Sequence, residues 1–327
     1  MSRYTQSQNT AIMSEYVNFY KTDQRLMGIL APRVRNQAGQ SWSMDFEASV
    51  DINLKSYGAY EQHVAAESGD PVRATWTMGA VYMDDQLSGL QQEFQGPEGR
   101  LDSGTIRKIG PEAHEKLRDK FKQAFKTRLW NAAGAALNGG GGVEPVGITQ
   151  FVVQSPSTGT YAGISRVTYS NWRNYQISGA SGPSSSWVQD AWERVLTAQM
   201  GARDPSGAHG KGSVLLGTVA NVIQIQNKAY SQNTNVGSEV NKIKSVNGLE
   251  LVSDDDVGSG LVYILDPRYI GVAVPMGRSA KNFGMKFYSK SKLPEQVHPD
   301  DEVMVIDFVG TPYCDFPAAQ SIITSAS

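Results

Sequence analysis

The spacing of apolar residues along the chain predicts elements of both kinds. From about Ile12 to Leu30 a helical pattern carries Tyr16, Phe19, Tyr20, Leu26, Met27 and Leu30, and Pro32 ends or bends it. Between 40 and 64 the pattern alternates in places, with Trp42, Met44 and Phe46 on one side. Alternation returns at Val72, Ala74, Trp76 and Met78 and runs to Met83. A period of two marks a strand with one buried face. The polar stretch Glu67-Ser-Gly-Asp-Pro71 separates the two segments, so together they predict a long hairpin.

The strongest periodicity follows. Leu117, Phe121, Phe125 and Leu129 recur every four residues, joined by Ala124, Ala132 and Ala136. The opposite face carries Lys116, Lys120, Lys122, Lys126 and Arg128. Pro111 suits a first helical turn, and Glu112 and Glu115 lie near the positive end of the helix dipole. A helix over 111–137 is predicted, roughly 40 Å long at ~1.5 Å per residue. Gly139-Gly-Gly-Gly142 would stop it and form a flexible joint. A second helix is predicted over Trp187–Met200, with Val188, Ala191, Trp192, Val195 and Leu196 buried, and a third over Val219–Tyr230. Strands are predicted at Val214–Leu216, Leu249–Val252, Leu261–Leu265, Gly271–Val274, Met285–Tyr288 and Val303–Val309. The class is α+β, without internal repeats.

Composition narrows the function. Of 327 residues, 40% are hydrophobic and only 19% charged, against roughly 25% charged in an ordinary soluble chain. Six Trp, 14 Tyr and ten Phe supply core material, which excludes a disordered chain. No apolar run approaches the ~18 residues of a spanning helix, so no membrane partner is expected. A net charge of −2 argues against a protein that coats nucleic acid. A surface this poor in charge invites association. The one cysteine, Cys314, excludes an internal disulfide, and Met-Ser-Arg-Tyr-Thr-Gln lacks the form of a signal peptide. Synthesis in a reducing cytoplasm is expected.

Candidate chemistry does not assemble. Pro205-Ser-Gly-Ala-His-Gly-Lys-Gly212 has Pro205 where a phosphate loop begins with Gly, and Gly212 where Ser or Thr would meet magnesium. A flexible loop is expected there instead. His63, His114, His209 and His298 are scattered without ligand spacing. Asp254-Asp-Asp256 could attract a cation but lacks the spaced oxygens of a calcium loop, so a solvated turn is expected. Cys314 is expected to be a packed thiol. No catalytic, cofactor-binding or metal-binding residue is assigned, and no cofactor; an enzyme is not expected.

Charge, by contrast, is sorted. Asp45 to Phe94 holds nine acids and two bases, whereas Glu98 to Trp130 holds nine bases and five acids. Residues 267–292 hold six bases and no acid, and 293–302 hold four acids and no base. Blocks of this kind set orientation and register when copies dock.

This order of elements, an N-terminal arm, a long acidic hairpin, a basic long helix and a glycine joint, resembles the major capsid proteins of tailed bacteriophages, the Hong Kong 97-type fold. Gly159-Thr-Tyr-Ala-Gly-Ile-Ser-Arg-Val-Thr-Tyr-Ser-Asn-Trp-Arg-Asn174 is similar to the family's Gly-Gly-Ile-Asp-Arg…Trp-Trp-Arg-Asn segment, with Ala162 and Ser165 departing from its commonest form. Asp266-Pro-Arg-Tyr-Ile-Gly271 is similar to a strand-end segment of the axial domain. The resemblance implies an N-terminal arm (1–44), an extended E-loop hairpin region (45–94) and a peripheral domain (95–179) with spine helix 111–137. An axial domain (180–283) and return strands of the peripheral domain (284–327) complete it.

The implied function is self-assembly as hexamers and pentamers into an icosahedral shell. The shell would enclose a double-stranded DNA genome in the virion without sequence-specific binding, after assembly in the host cytoplasm. Portal and scaffolding proteins would be partners, with room for a decoration protein; since only about 40 residues precede the hairpin, the scaffold is expected to be separate. A bacterial nanocompartment shell, or a tail or tube protein, is the alternative. The expected contact sets Glu61, Glu67 and Asp70 of one hairpin on Lys116, Lys120 and Arg128 of a neighbour, with Gly139, Gly140, Gly141 and Gly142 as hinge.

Overall fold

The structure is a computed structural model. It describes residues 25–46, 71–87, 117–134, 143–178, 187–232, 245–278, 283–290 and 302–325, apart from positions 119, 122, 123, 211, 247 and 255. In chain order the elements begin with helix α1 (Arg25–Leu30) and strands β1 (Val34–Gln37), β2 (Ser41–Phe46), β3 (Val72–Thr77) and β4 (Gly79–Leu87). Helix α2 follows over 117–131. Next come β5 (Thr160–Tyr161), β6 (Ile164–Ser165), β7 (Tyr175–Ser178), helix α3 (Trp187–Gly201), β8 (Val214–Gly217) and helix α4 (Val219–Gln232). The chain closes with β9 (Ser245–Val246), β10 (Leu249–Ser253), β11 (Val262–Leu265), β12 (Ile270–Pro275), β13 (Met285–Lys290), β14 (Glu302–Cys314) and β15 (Ser321–Thr324).

Two sheets share the core. One has the order β7-β15-β11-β8-β10-β9, and its central strands are buried on both faces. Period two explains how. Leu215, Leu249, Leu251, Val262, Ile264 and Ile323 point to one side, where they pack with Trp187, Ala191 and Val195 of α3 and Val222, Ile225 and Ala229 of α4. Their neighbours Val214, Leu216, Val252, Tyr263, Leu265 and Ile322 point to the other side and join the main core. The second sheet runs β1-β12-β14-β13, with β4 also on β14. Strand β14 is its axis: β4 pairs along Glu302–Gly310, β13 along Val303–Phe308 and β12 along Thr311–Cys314.

Sheet membership departs from the expected boundary at 283. Strand β12 leaves the expected axial segment for the second sheet, while β15, near the end of the expected return segment, completes the first. Parallel pairings β1–β12 and β7–β15 join segments far apart in sequence, and local periodicity carries no signal for them.

Helix α2 buries the predicted stripe Leu117, Phe121, Phe125 and Leu129. Phe125 meets Phe308 of β14 with ring centroids 4.6 Å apart. The helix stops at Asn131, short of the expected Leu137. Its end is tied off by later residues: Thr149 Oγ1 donates to the Trp130 carbonyl (2.9 Å), Gly147 N to the Ala132 carbonyl (2.8 Å), and Ala133 N to Glu144 Oε1 (3.0 Å). These bonds satisfy groups a helix end leaves open. Ala133 also bridges Val146, so these two positions are fixed to each other. The glycine run 139–142 lies outside the described residues, as do 12–24 of the first predicted helix and the turn at 67–70.

Candidate functional site

The hairpin leaves the body at β2 and β3, and the question for function is what holds its base. Trp42 and Trp76 face each other in the antiparallel register and stack at 4.3 Å between ring centroids. Tyr313 of β14 meets Trp42 edge-on at 5.0 Å, and Phe46 leans on Trp172 at 4.8 Å. Large rings suit this task because each buries much apolar area with few rotatable bonds. On the outer face Arg73 donates to both carboxylate oxygens of Asp45 across the strands (2.7 and 3.0 Å) and holds that carboxyl below its ordinary range.

The segment 159–174 supplies the other half of the anchor. Strands β5 and β6 are joined by a two-residue turn in which Ala162 (φ 52°) and Gly163 (φ 81°) are both left-handed, the form whose twist matches a hairpin. Ala162 thus occupies a conformation that favours glycine, the residue its place has in the family pattern. The turn docks on the hairpin: Thr75 N donates to the Ala162 carbonyl at 2.8 Å. Tyr161 is the hub. Its hydroxyl accepts from Trp76 Nε1 (3.0 Å) and from the backbone N–H of Cys314 (2.8 Å), while its carbonyl accepts from Trp172 Nε1 (3.0 Å). Burial pushes both the Tyr161 hydroxyl and the Cys314 thiol well above their ordinary pKa.

Arg166, Asn174 and Arg173 of the motif are also engaged internally. Arg166 is buried, with its guanidinium 5.6 Å from the Tyr161 ring centroid and Nη2 donating to the Gln150 carbonyl (2.6 Å). The Asn174 side chain accepts from Val153 N and donates to its carbonyl, each at 3.0 Å. Arg173 donates to the carbonyls of Arg166 and Val167. These residues fasten an arm.

A second junction joins α2 to the first sheet. Lys126 Nζ lies 3.1 Å from Asp254 Oδ1 and 3.0 Å from Asp256 Oδ2. Trp130 Nε1 donates to Asp254 Oδ2 (3.3 Å), and Thr127 Oγ1 to Asp256 Oδ1 (3.2 Å). Burial works against the lysine's charge, but the hydrogen bonds and attraction of the two aspartates outweigh it and raise its pKa. The turn expected to be solvated is therefore a docking point through Asp254, which is buried, and Asp256, and the cation they receive is a lysine of α2. Repulsion between adjacent carboxylates signalled a counter-charge; its source became visible only in the fold.

Of the expected contact residues, Lys120 lies exposed on α2, and Arg128 on the same helix pairs with buried Glu144 (3.1 Å). Glu61, Glu67, Asp70 and Lys116 lie outside the described residues. The loop expected to be flexible at 205–212 is organised by Asp204, whose Oδ1 accepts from Ser206 N (3.0 Å), Ser206 Oγ (2.6 Å) and Ala208 N (2.9 Å). Among the described residues no group of three or more His, Cys, Asp or Glu could hold a metal ion, and no helix is long and apolar enough to cross a membrane.

No family model matches the chain, and no curated protein matches it. Solved structures do. A chain of the Cyanophage A-1(L) capsid asymmetric unit is 18% identical, with TM-score 0.63 over 92% of each chain. The capsid of the empty GTA particle gives 12% identity and TM-score 0.58, covering 92% of this chain and 90% of that one. The holo-SrpI encapsulin complex of Synechococcus elongatus PCC 7942 gives 9% and 0.51, covering 93% and 88%. The fold is therefore that of shell-forming capsid proteins. It is the Hong Kong 97-type fold, the architecture of tailed-phage major capsid proteins.

Proposed function

We propose that the chain is the major capsid protein of a tailed phage, assembling as hexamers and pentamers into an icosahedral shell around double-stranded DNA. The observation that carries this reading is similarity to a cyanophage capsid chain along 92% of both molecules. Anchored arms support it: a hairpin fixed at its base by stacked tryptophans is suited to reach a neighbour. Repetition of one modest heterologous contact closes rings and then shells. The acidic hairpin residues Glu61, Glu67 and Asp70 meet Lys116, Lys120 and Arg128 of the next copy, where Glu144 already offsets part of the Arg128 charge. A scaffolding protein and a portal are the partners of this reading, with room for a decoration protein, and the virion is its location.

Similarity to the encapsulin complex supports a second reading, a nanocompartment shell. Electron microscopy of particles made with and without co-expressed scaffold separates them. Closed shells that contain DNA when formed during infection support the phage capsid. Shells holding an enzyme cargo and no genome indicate the nanocompartment. Tubes or open rings from the wild-type chain overturn both.

A further inference from the structure

We infer that Tyr82 of one copy inserts into an aromatic cavity at the hairpin base of the next, a knob-in-hole contact that rests on the self-assembly just proposed. Tyr82 is 72% exposed, the largest value among the exposed large apolar residues described. Its neighbours on β4, Val81 and Met83, turn inward to the core, so the strand holds Tyr82 outward on a rigid support. Exposed Asp84 shares its face, about 6.7 Å away at two residues along a strand.

The cavity has a volume of about 490 Å³ and is walled by Phe46, Tyr169, Trp172, Tyr269 and Phe316, with Asp315 among its polar lining. Arg33 binds Asp315 Oδ2 at 2.6 Å, while Asp315 Oδ1 is buried without a hydrogen-bond partner. A buried carboxylate oxygen in that state calls for a donor, and a phenol entering between the rings supplies one. At the mouth the Arg268 side chain is 53% exposed although one side of it holds Asp266. It offers a charge to Asp84 outside the cavity while the tyrosine ring fills the inside.

The contact cannot form within one molecule. Tyr82 pairs with Asp307 across β4 and β14, and Asp315 lies eight residues further along the chain. In extended backbone this is about 26 Å at ~3.3 Å per residue. Knob and hole are thus separate surfaces on one subunit, the arrangement that propagates from copy to copy and closes into rings. Tyrosine and arginine are also the side chains that most often dominate such interfaces.

The test uses the full chain with Asp84→Cys combined with Asn171→Cys, which keeps the Tyr82 side chain in place; Asp84 is exposed beside it, Asn171 is exposed at the cavity, and the natural Cys314 is fully buried. Mild oxidation of assembled particles should give a ladder of disulfide-linked multimers, absent from either single variant. Tyr82→Ala should lower particle yield at least tenfold with the monomer's melting temperature unchanged, and Tyr82→Phe should fall between. Particles that show no ladder, or normal yield from Tyr82→Ala, overturn the contact and leave the capsid reading standing. A ladder from wild-type-like tubes supports the contact and overturns the closed shell. A chain that stays monomeric at every concentration overturns both.

Discussion

Tyr161 links three parts of the protein through two oxygens: its hydroxyl accepts from Trp76 of the hairpin and from Cys314 N of β14, and its carbonyl accepts from Trp172 Nε1. Replacing it with Phe keeps the ring in place but leaves two buried donors without an acceptor. Each such orphan costs about 1–3 kcal/mol, so Tyr161→Phe should destabilise by about 2–6 kcal/mol in denaturant unfolding. Trp172→Phe removes a single buried donor and should cost less. Cys314 makes the complementary point about burial. Its thiol is pushed upward, so between the ordinary thiol range and its own folded value the unfolded chain has lost the proton and the native one retains it. Folding stability therefore falls with rising pH across that window. In native protein a thiol reagent should leave Cys314 unmodified at pH 8 to 9, and should label it stoichiometrically once the chain is unfolded. Rapid labelling of folded monomer would show that the hairpin base opens.

Lys126 works at the scale of elements, pinning α2 to the turn after β10 through Asp254 and Asp256. Lys126→Met should cost about 2 kcal/mol, because a buried aspartate loses its counter-charge while Trp130 Nε1 still donates to it. Because the lysine's pKa is raised, its contribution is complete below the unfolded value near 10.5 and is lost as pH climbs through the folded one. The melting-temperature gap between wild type and Lys126→Met should stay constant from pH 6 to 9 and narrow only as pH climbs past the ordinary lysine value of 10.5. The elements themselves were legible in the sequence: the four-residue stripe on α2, helices α3 and α4, and the two-residue alternation at Trp42 and Trp76. What escaped was whatever depends on distant partners. Strands β1, β7 and β15 are held by partners far off in the sequence, β1 by β12, β15 by β11 and β7 by β15, and local periodicity carries no sign of these pairings. The end of α2 escaped for a similar reason, since Ala132 and Ala136 extend the helical pattern while Glu144, Gly147 and Thr149 tie off the backbone at Trp130 and beyond. At the candidate site the Trp-Arg-Asn motif was visible, but its Tyr161 hub was not, because nothing in the spacing tells which tyrosine hydroxyl will sit beneath two donors.

At the scale of the whole molecule, a charge of −2 conceals the sorting: the segment from Asp45 to Phe94 carries seven more acids than bases, and the next block runs basic. Inside one copy the sorted charges are partly used, as Asp45 with Arg73, Glu144 with Arg128, and Asp254 and Asp256 with Lys126 show. Glu61, Glu67 and Asp70 are the acids assigned to the neighbour in the proposed assembly. A charge-reversed hairpin, Glu67→Lys with Asp70→Lys, changes the local charge by four units at positions outside the aromatic anchor, so the monomer should keep its melting temperature within about 2 °C. Assembly should fail or shift to higher protein concentration, and the defect should deepen as ionic strength falls, because repulsion between like charges is screened over about 10 Å at 0.1 M salt. Reversing Lys116 and Lys120 to Glu in the same chain should restore particles if those lysines are the hairpin's counterparts. Sedimentation and electron microscopy read both steps. Wild-type particle yield from the charge-reversed hairpin would detach the acidic block from assembly. Failure of the double reversal to recover particles, with the monomer folded, would move the hairpin's contact elsewhere on the neighbour.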